Sequence, residues 1–179
     1  DLSLLDCGKI FRNTDIRKHG SGNLGGTNAV RVLGITLGII VGLMDVMKGG
    51  VSIILANKVF VTNIPPIFFG IAAVLGHVYP IFAKFKGGKA VATSGGVILF
   101  SSPPIFLIGL VTFVIVVIAT KIVSLASSIV ALIIFLMSLI AYIFRAKPFF
   151  QSFGVSKYFL ITIGFLFSCI VLRHIPNYK

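Results

Sequence analysis

The stretch 21–34 reads SGNLGGTNAVRVLG and gathers Ser21, Gly22, Asn23, Gly25, Thr27, Asn28 and Arg31 directly against a long apolar run. Glycine lets backbone N–H groups come close to a ligand. Ser, Thr and Asn add hydrogen-bond donors, and Arg adds a bidentate positive charge. That set suits an anion with many acceptor oxygens, phosphate above all. A second stretch, AKFKGGKAVATSGG at 83–96, repeats the combination with Lys84, Lys86, Gly87, Gly88, Lys89 and Thr93. Taken singly, either stretch also fits helix-packing glycines and lysines that only mark the membrane edge. Neither has the G-x-x-x-x-G-K-[ST] spacing of a nucleotide-hydrolysing loop, and no acid is placed to hold its Mg²⁺. The residues therefore predict phosphate binding without nucleotide hydrolysis.

The charge balance narrows the chemistry further. There are 16 Lys and Arg against four acids, Asp1, Asp6, Asp15 and Asp45. Asp45 has no second carboxylate to pair with, which argues against two-carboxylate glycosidase chemistry and carboxylate-bridged metals. His19, His77 and His174 show no HxxxH spacing, and Cys7 and Cys169 form no CxxC. No metal and no cofactor are expected. Asp45 and Lys48, at i and i+3 within an apolar run, read either as a mutual ion pair or as a wall of the site. His77, before a Tyr-Pro turn, reads as structural or as a contact at the site.

These residues must be positioned by membrane helices. Of 179 residues 57% are hydrophobic, with mean hydropathy +1.09, and the apolar runs are long and continuous rather than alternating. The fold class is an all-α polytopic membrane protein, a single integral membrane domain over 1–179. The spans expected are about 32–56, 65–82, 91–101, 104–120, 122–144 and 158–172, six in all. Reading 91–120 as two helices that turn at Ser101-Ser102-Pro103-Pro104 puts both glycine-rich loops and the terminal 173–177 segment on one side. That side then holds eleven of the 16 basic residues and the opposite loops four, with Lys48 inside a span. By the positive-inside rule it is the cytoplasmic face of a cell membrane. A net charge of +12 placed in short loops beside apolar spans suits topology and an anionic substrate or lipid headgroup, not nucleic acid. The bilayer is the expected partner, and no obligate protein partner is inferred. The eleven residues 91–101 rise only about 16 Å, half the hydrocarbon core, so a partial or buried helix is expected there.

Five separated motifs occur in order: SGNLGGTNAVRVLG (21–34), DVMKG (45–49), GHVYPIFAKFKGGKAVAT (76–93), SLAS (124–127) and RHIPN (173–177). Together they resemble the bacterial acyl-phosphate:glycerol-3-phosphate acyltransferases, the PlsY family, over nearly the whole chain. The resemblance implies a seven-helix membrane enzyme with its motifs at the cytoplasmic face of the bacterial inner membrane. It implies transfer of a fatty acyl group from acyl phosphate to the 1-hydroxyl of glycerol 3-phosphate. The products would be lysophosphatidic acid and phosphate, the first step of phospholipid synthesis. Six helices here against seven in the family imply that a first transmembrane helix is missing. The start at Asp1, without an initiator Met, is expected to be a fragment boundary or a processed end. Gly26 stands where the family usually has Ala, and Ala90 where it usually has Gly. The extra methyl at Ala90 either crowds a backbone approach to phosphate or favours helix there.

On that resemblance Ser21, Gly22, Asn23, Gly25, Thr27, Asn28 and Arg31 surround phosphate oxygens. Lys86 and Lys89, with Gly87, Gly88 and Thr93, neutralise the leaving phosphate or the glycerol phosphate. His174 and Asn177 orient glycerol 3-phosphate, and Asp45, Lys48, His77 and Ser124 form possible walls. Either His174 or a departing phosphate oxygen accepts the hydroxyl proton. Ser21 is read as a phosphate ligand ahead of a covalent nucleophile, since no base is shown to face it. Acyl phosphate is a mixed anhydride with a good leaving group, so positioning and anion stabilisation can supply most of the rate.

Two other classes fit the composition: a transporter or channel for a phosphorylated anion, and a lipid-binding protein with basic edges. A transferase loses a partner of transition-state charge when a site cation is removed. Arg31→Ala and Lys89→Ala are each expected to lower kcat/KM by at least about a hundredfold. A lipid-binding protein would lose only a little affinity from the same changes.

Overall fold

A computed structural model describes residues 15–59 and 63–178. Cys7, Lys9, Arg12 and Lys179 lie outside the described residues, as do the side chains of Arg17 and Asn177. Among the described residues eight helices run in order: α1 Gly26–Leu33, α2 Ile35–Lys58, α3 Ile67–Val78, α4 Val91–Ser101, α5 Pro103–Thr120, α6 Val123–Ile143, α7 Pro148–Gln151 and α8 Lys157–His174. Short 3₁₀ turns cover Ile16–Lys18, Ile81–Ala83 and Ile175–Tyr178. α2, α5, α6 and α8 are long and apolar enough to cross a membrane, and α3 and α4 are shorter apolar helices. The protein is an all-helical, multi-pass membrane protein.

Part of the first polar stretch departs from the expected loop, because residues 26–33 form α1. Its Ala29 and Leu33 are buried with Ile16, Leu24, Val41 and Ala83, so one face of the stretch is apolar enough to pack on α2. Gly34, at φ +92, separates α1 from α2 and moves the start of the long helix to Ile35.

The proline pair acts as expected. Pro103 and Pro104 open α5, where a missing N–H costs nothing, and Ser102 makes the turn from α4. α4 is the hub of the bundle and packs on α2, α3, α5 and α8. With eleven residues it is about 16 Å long. It survives at that length because protein surrounds it: Thr93, Ser94, Gly96, Val97 and Ile98 are buried. Its deep end is closed by the segment between α7 and α8. Ser102 Oγ donates to the Phe153 carbonyl at 2.7 Å, and Phe153 and Val155 are buried in the same core as Ile98 and Ile105.

The closest crossing in the bundle is α2 on α4. A methyl at Gly96 would collide with the Val46 carbonyl oxygen, and one at Gly49 with the Thr93 carbonyl oxygen. Both obstacles are backbone and cannot turn aside. A methyl at Gly76 on α3 would meet nothing within 4 Å. Gly96→Ala is therefore expected to cost about 1–3 kcal/mol of stability. Gly76→Ala should be neutral or slightly stabilising, because Ala is the better helix former. Thermal unfolding in detergent micelles, with the two variants side by side, checks this.

Candidate active site

The starts of α1, α4 and α6 meet the ends of α3, α5 and α8 around one cavity of about 1030 Å³. Its upper part is lined by Ser21, Asn23, Gly25, Thr27, Asn28 and Arg31 from the first stretch. Lys89 reaches it from the second stretch, and Asp45, His77, Ser124 and His174 complete the expected residues on its wall. Five motifs separated by up to 150 residues in the chain thus share one chamber.

The first loop is organised by Asn28, which is only 2% exposed. Its Nδ2 donates to the Ile16 carbonyl at 3.3 Å and to the His19 carbonyl at 3.2 Å. Its Oδ1 accepts from the Ser21 N–H at 2.9 Å. The amide was expected to face phosphate oxygens. The geometry instead engages it in holding residues 16–21 over the start of α1. Thr27 and Ser21 are exposed to the cavity and Asn23 is half-buried there. Arg31 lies one turn along α1 on the same wall.

The second loop works differently from expectation. The Gly87 N–H donates to the Val78 carbonyl at 3.1 Å and the Gly88 N–H to the His77 carbonyl at 3.2 Å. Methyl groups at either position would collide with α3, at the His77 carbonyl for Gly87 and at the His77 ring for Gly88. The two glycines dock the loop onto the end of α3 and thereby aim Lys89 into the cavity. Arg173 ties down the other side, its Nη2 donating to the Gly87 carbonyl at 3.1 Å. Gly22, Lys86, Gly87, Gly88, Thr93 and Lys48 are not on the cavity wall. Lys86 is exposed, and Thr93 faces α2 at Gly49.

Ala90 has φ +64, the left-handed region that favours glycine. It is the residue before α4, so the methyl does not act by favouring helix there. A usual Gly at this position is explained by backbone conformation.

The ion pair expected in α2 is present, with Lys48 Nζ 3.0 Å from Asp45 Oδ1. Asp45 Oδ1 also stands 3.6 Å from His77 Nδ1, and both residues are buried on the cavity wall. The two alternatives for Asp45, ion pair and wall, therefore hold together. His174 is 2% exposed, with Nδ1 2.7 Å from the Ile170 carbonyl. A carbonyl only accepts, so this contact places the proton of the neutral ring on Nδ1 and leaves Nε2 with the lone pair. Burial pushes the Lys89 ammonium below the usual lysine range, and the neighbouring Arg173 charge adds to the shift. A bound phosphate would relieve both effects.

Three wall residues, and Arg173 behind the wall, were not singled out from the sequence. Lys121 sits at φ +59 in the two-residue link between α5 and α6 and lines the cavity. Ser94 is 1% exposed, and its Oγ has no hydrogen-bond partner among the described residues. Ser127 continues the Ser124 face of α6, and Arg173 acts through Gly87. A helical period would have found Ser94. Val91, Ser94, Gly95 and Ile98 line the cavity at i, i+3, i+4 and i+7, whereas Thr93 falls on the opposite face.

Below these groups the wall becomes apolar. Phe106, Gly109, Leu110 and Phe113 of α5 repeat the same spacing, as do Ile163, Leu166, Phe167 and Ile170 of α8. The most exposed apolar lining residues are Ile39 and Leu43 on α2, Leu110 on α5, and Ile122, so the cavity is open on that side.

The family model for glycerol-3-phosphate acyltransferase matches residues 5–179. Glycerol-3-phosphate acyltransferase 2 of Bacillus cereus (strain ZK / E33L) is 59% identical over 106 residues, 59% of this chain and 53% of that protein. The glycerol-3-phosphate acyltransferase of Geobacillus sp. (strain WCH70) is 56% identical over 109 residues, 61% of this chain and 55% of that one. The matched stretch thus spans about half the length of these relatives. Two crystal structures of PlsY, an integral membrane glycerol 3-phosphate acyltransferase, superpose closely. The glycerol 3-phosphate form gives a TM-score of 0.82 at 32% identity, covering 98% of this chain and 84% of the other. The lysophosphatidic acid form gives 0.78 at 31% identity, covering 99% and 84%.

Asn28 and Thr27 separate loop-building from direct contact. Asn28→Ala removes three hydrogen bonds that hold residues 16–21 over α1 and should lower stability by about 1–3 kcal/mol as well as activity. Thr27→Ala should lower activity and leave thermal unfolding within about 0.5 kcal/mol of the unsubstituted protein.

Proposed function

This chain belongs to the glycerol-3-phosphate acyltransferase family, and from that premise we propose that it transfers a fatty acyl group from acyl phosphate to the 1-hydroxyl of glycerol 3-phosphate. The products are lysophosphatidic acid and phosphate. The observation that carries this reading is the two-part cavity: a chamber rich in donors and cations runs directly into an apolar shaft. Substrates and product include molecules of that shape, a phosphate head on a long hydrocarbon chain.

The head chamber suits phosphate for three reasons. The first N–H groups of a helix have no partner within it, and both α1 and α4 begin at the cavity wall. Ser21, Asn23 and Thr27 add side-chain donors. Arg31, Lys89 and Lys121 add positive charge on the same wall. In the transfer, the 1-hydroxyl oxygen bonds to the acyl carbon and the bond from that carbon to the phosphate oxygen breaks. The hydroxyl proton passes to His174 Nε2 or to the departing phosphate. His174 is suited to the first route because its Nδ1 is committed to Ile170. Asn177, in the turn that follows α8, is assigned to orienting glycerol 3-phosphate beside it. Asp45 and His77 form the wall behind Lys89, and Ser124 the wall opposite.

The same reading puts the site at the cytoplasmic face of a bacterial cell membrane. It is supported by the excess of basic residues on the site side of the bundle. The acyl donor would arrive from the bilayer, whose side of the cavity is open between α2 and α5.

The test is a release assay in detergent or vesicles. Inorganic phosphate should appear from a long-chain acyl phosphate when glycerol 3-phosphate is present, with lysophosphatidic acid formed in equal amount. Uptake of labelled glycerol 3-phosphate into vesicles without acyl transfer would sink the reading and point to transport.

A further inference from the structure

The apolar shaft has a measurable depth and a closed end. On α6 the cavity wall runs from Ser124, beside the polar chamber, to Ile134, ten residues on. On α8 it runs from His174 back to Ile163, eleven residues away. At 1.5 Å per residue the two helices give depths of about 15 and 16 Å. Beyond Ile134 and Ile163 the bundle is packed solid: Ser138, Phe159 and Thr162 are buried and none of them lines the cavity. Phe153 and Val155 close the same core from the far side.

Ile134 makes the end wall. It is 7% exposed and lines the cavity. A methyl added at Gly109 of α5 would stand 2.6 Å from its Cδ1, so the side chain lies against bare α5 backbone. Gly109 also lines the cavity, so the Ile134–Gly109 contact bridges α5 and α6 low in the shaft, and Phe106, one turn further along α5, also lines it. Ile163 faces the same floor from α8. Ala131 is one turn higher, about 10 Å below Ser124, and its small side chain leaves the shaft open at that level.

Resting on the acyltransferase reading, we propose that Ile134 seated on Gly109 is the floor that sets the acyl-chain length this protein accepts, with Ala131 keeping the passage to it clear. A staggered chain of C–C bonds advances about 1.25 Å per carbon, so the shaft takes about 12–13 carbons before the chain meets Ile134. A longer chain must bend back toward the open side between α2 and α5. Cutting Ile134 to alanine opens the floor and lets such a chain stay straight. A large residue at Ala131 shortens the shaft to about eight carbons.

The experiment measures kcat/KM for acyl phosphates of 8 to 18 carbons with the unsubstituted protein, Ile134→Ala and Ala131→Phe. A pocket that gains or loses one to three carbons discriminates by about tenfold or more. Ile134→Ala should raise the 18-carbon to 12-carbon ratio of kcat/KM by about tenfold. Ala131→Phe should lower the 14-carbon to 8-carbon ratio by at least about tenfold, with the 8-carbon donor still used. Ratios within one protein cancel a general loss of folded enzyme. A second readout needs no turnover: the chain length of lysophosphatidic acid that best protects each variant against thermal unfolding should move in the same directions. Unchanged ratios in both active variants would overturn the floor assignment and leave the transferase standing. An unsubstituted protein inert toward every acyl phosphate would overturn the transferase reading and this one with it.

Discussion

A helix that does not cross the bilayer has to be enclosed by protein, and the architecture follows from enclosing α4. In hydrocarbon, a backbone end without hydrogen-bond partners costs several kcal/mol per group. α4 stops after eleven residues, so its deep end cannot face lipid. The bundle answers with α2, α3, α5 and α8 around its sides and with the Ser102–Phe153 bond across its end. Close approach of α2 demands Gly49 and Gly96, because each stands against a carbonyl of the facing helix. The other end of α4 opens on the polar chamber, where its unpaired N–H groups are useful. One short helix therefore supplies both a terminus on the polar chamber and part of the wall of the shaft.

The chamber concentrates positive charge with little internal compensation. Asp45 is the one acid on its wall among the described residues, and Lys48 and His77 already stand beside it. Lys89 is left partly buried and close enough to Arg173 to be pushed toward its neutral form. An anion entering the chamber would offset the repulsion between these cations. The glycines of the second loop contribute at one remove. They let 87–88 dock on His77 and Val78, and that docking aims the neighbouring Lys89.

Much of this was legible from residue types. Long apolar runs, the proline pair at 103–104 and the lopsided charge specified a polytopic bundle with its basic loops on one side. The two Gly-rich stretches pointed to residues that the structure brings to one cavity wall. Individual roles inside it were less legible, because a sequence gives composition and not direction. Asn28 and Thr27 are adjacent donors on the cavity wall, yet Asn28 is bonded to the loop backbone and buried, while Thr27 is exposed. Thr93 and Ser94 are adjacent hydroxyls on opposite sides of α4, and the helical period decides which one reaches the chamber. Lys121 was counted as a topology charge, and only the tight link between α5 and α6 brings it to the wall.

The sequence by itself determined the membrane class, the helical periodicity and the stretches in which charge collects. These depend on hydropathy, on backbone rules for Gly and Pro, and on the inventory of ionisable groups, all of which are local. Only the tertiary structure decided that the polar chamber continues into a blind apolar shaft. The shaft exists because faces of α4, α5, α6 and α8 converge, with Ile134 of α6 against Gly109 of α5. Each face is visible in its own helix as a period of three and four. Where they meet is set by packing between residues far apart in the chain, and no local rule carries that distance.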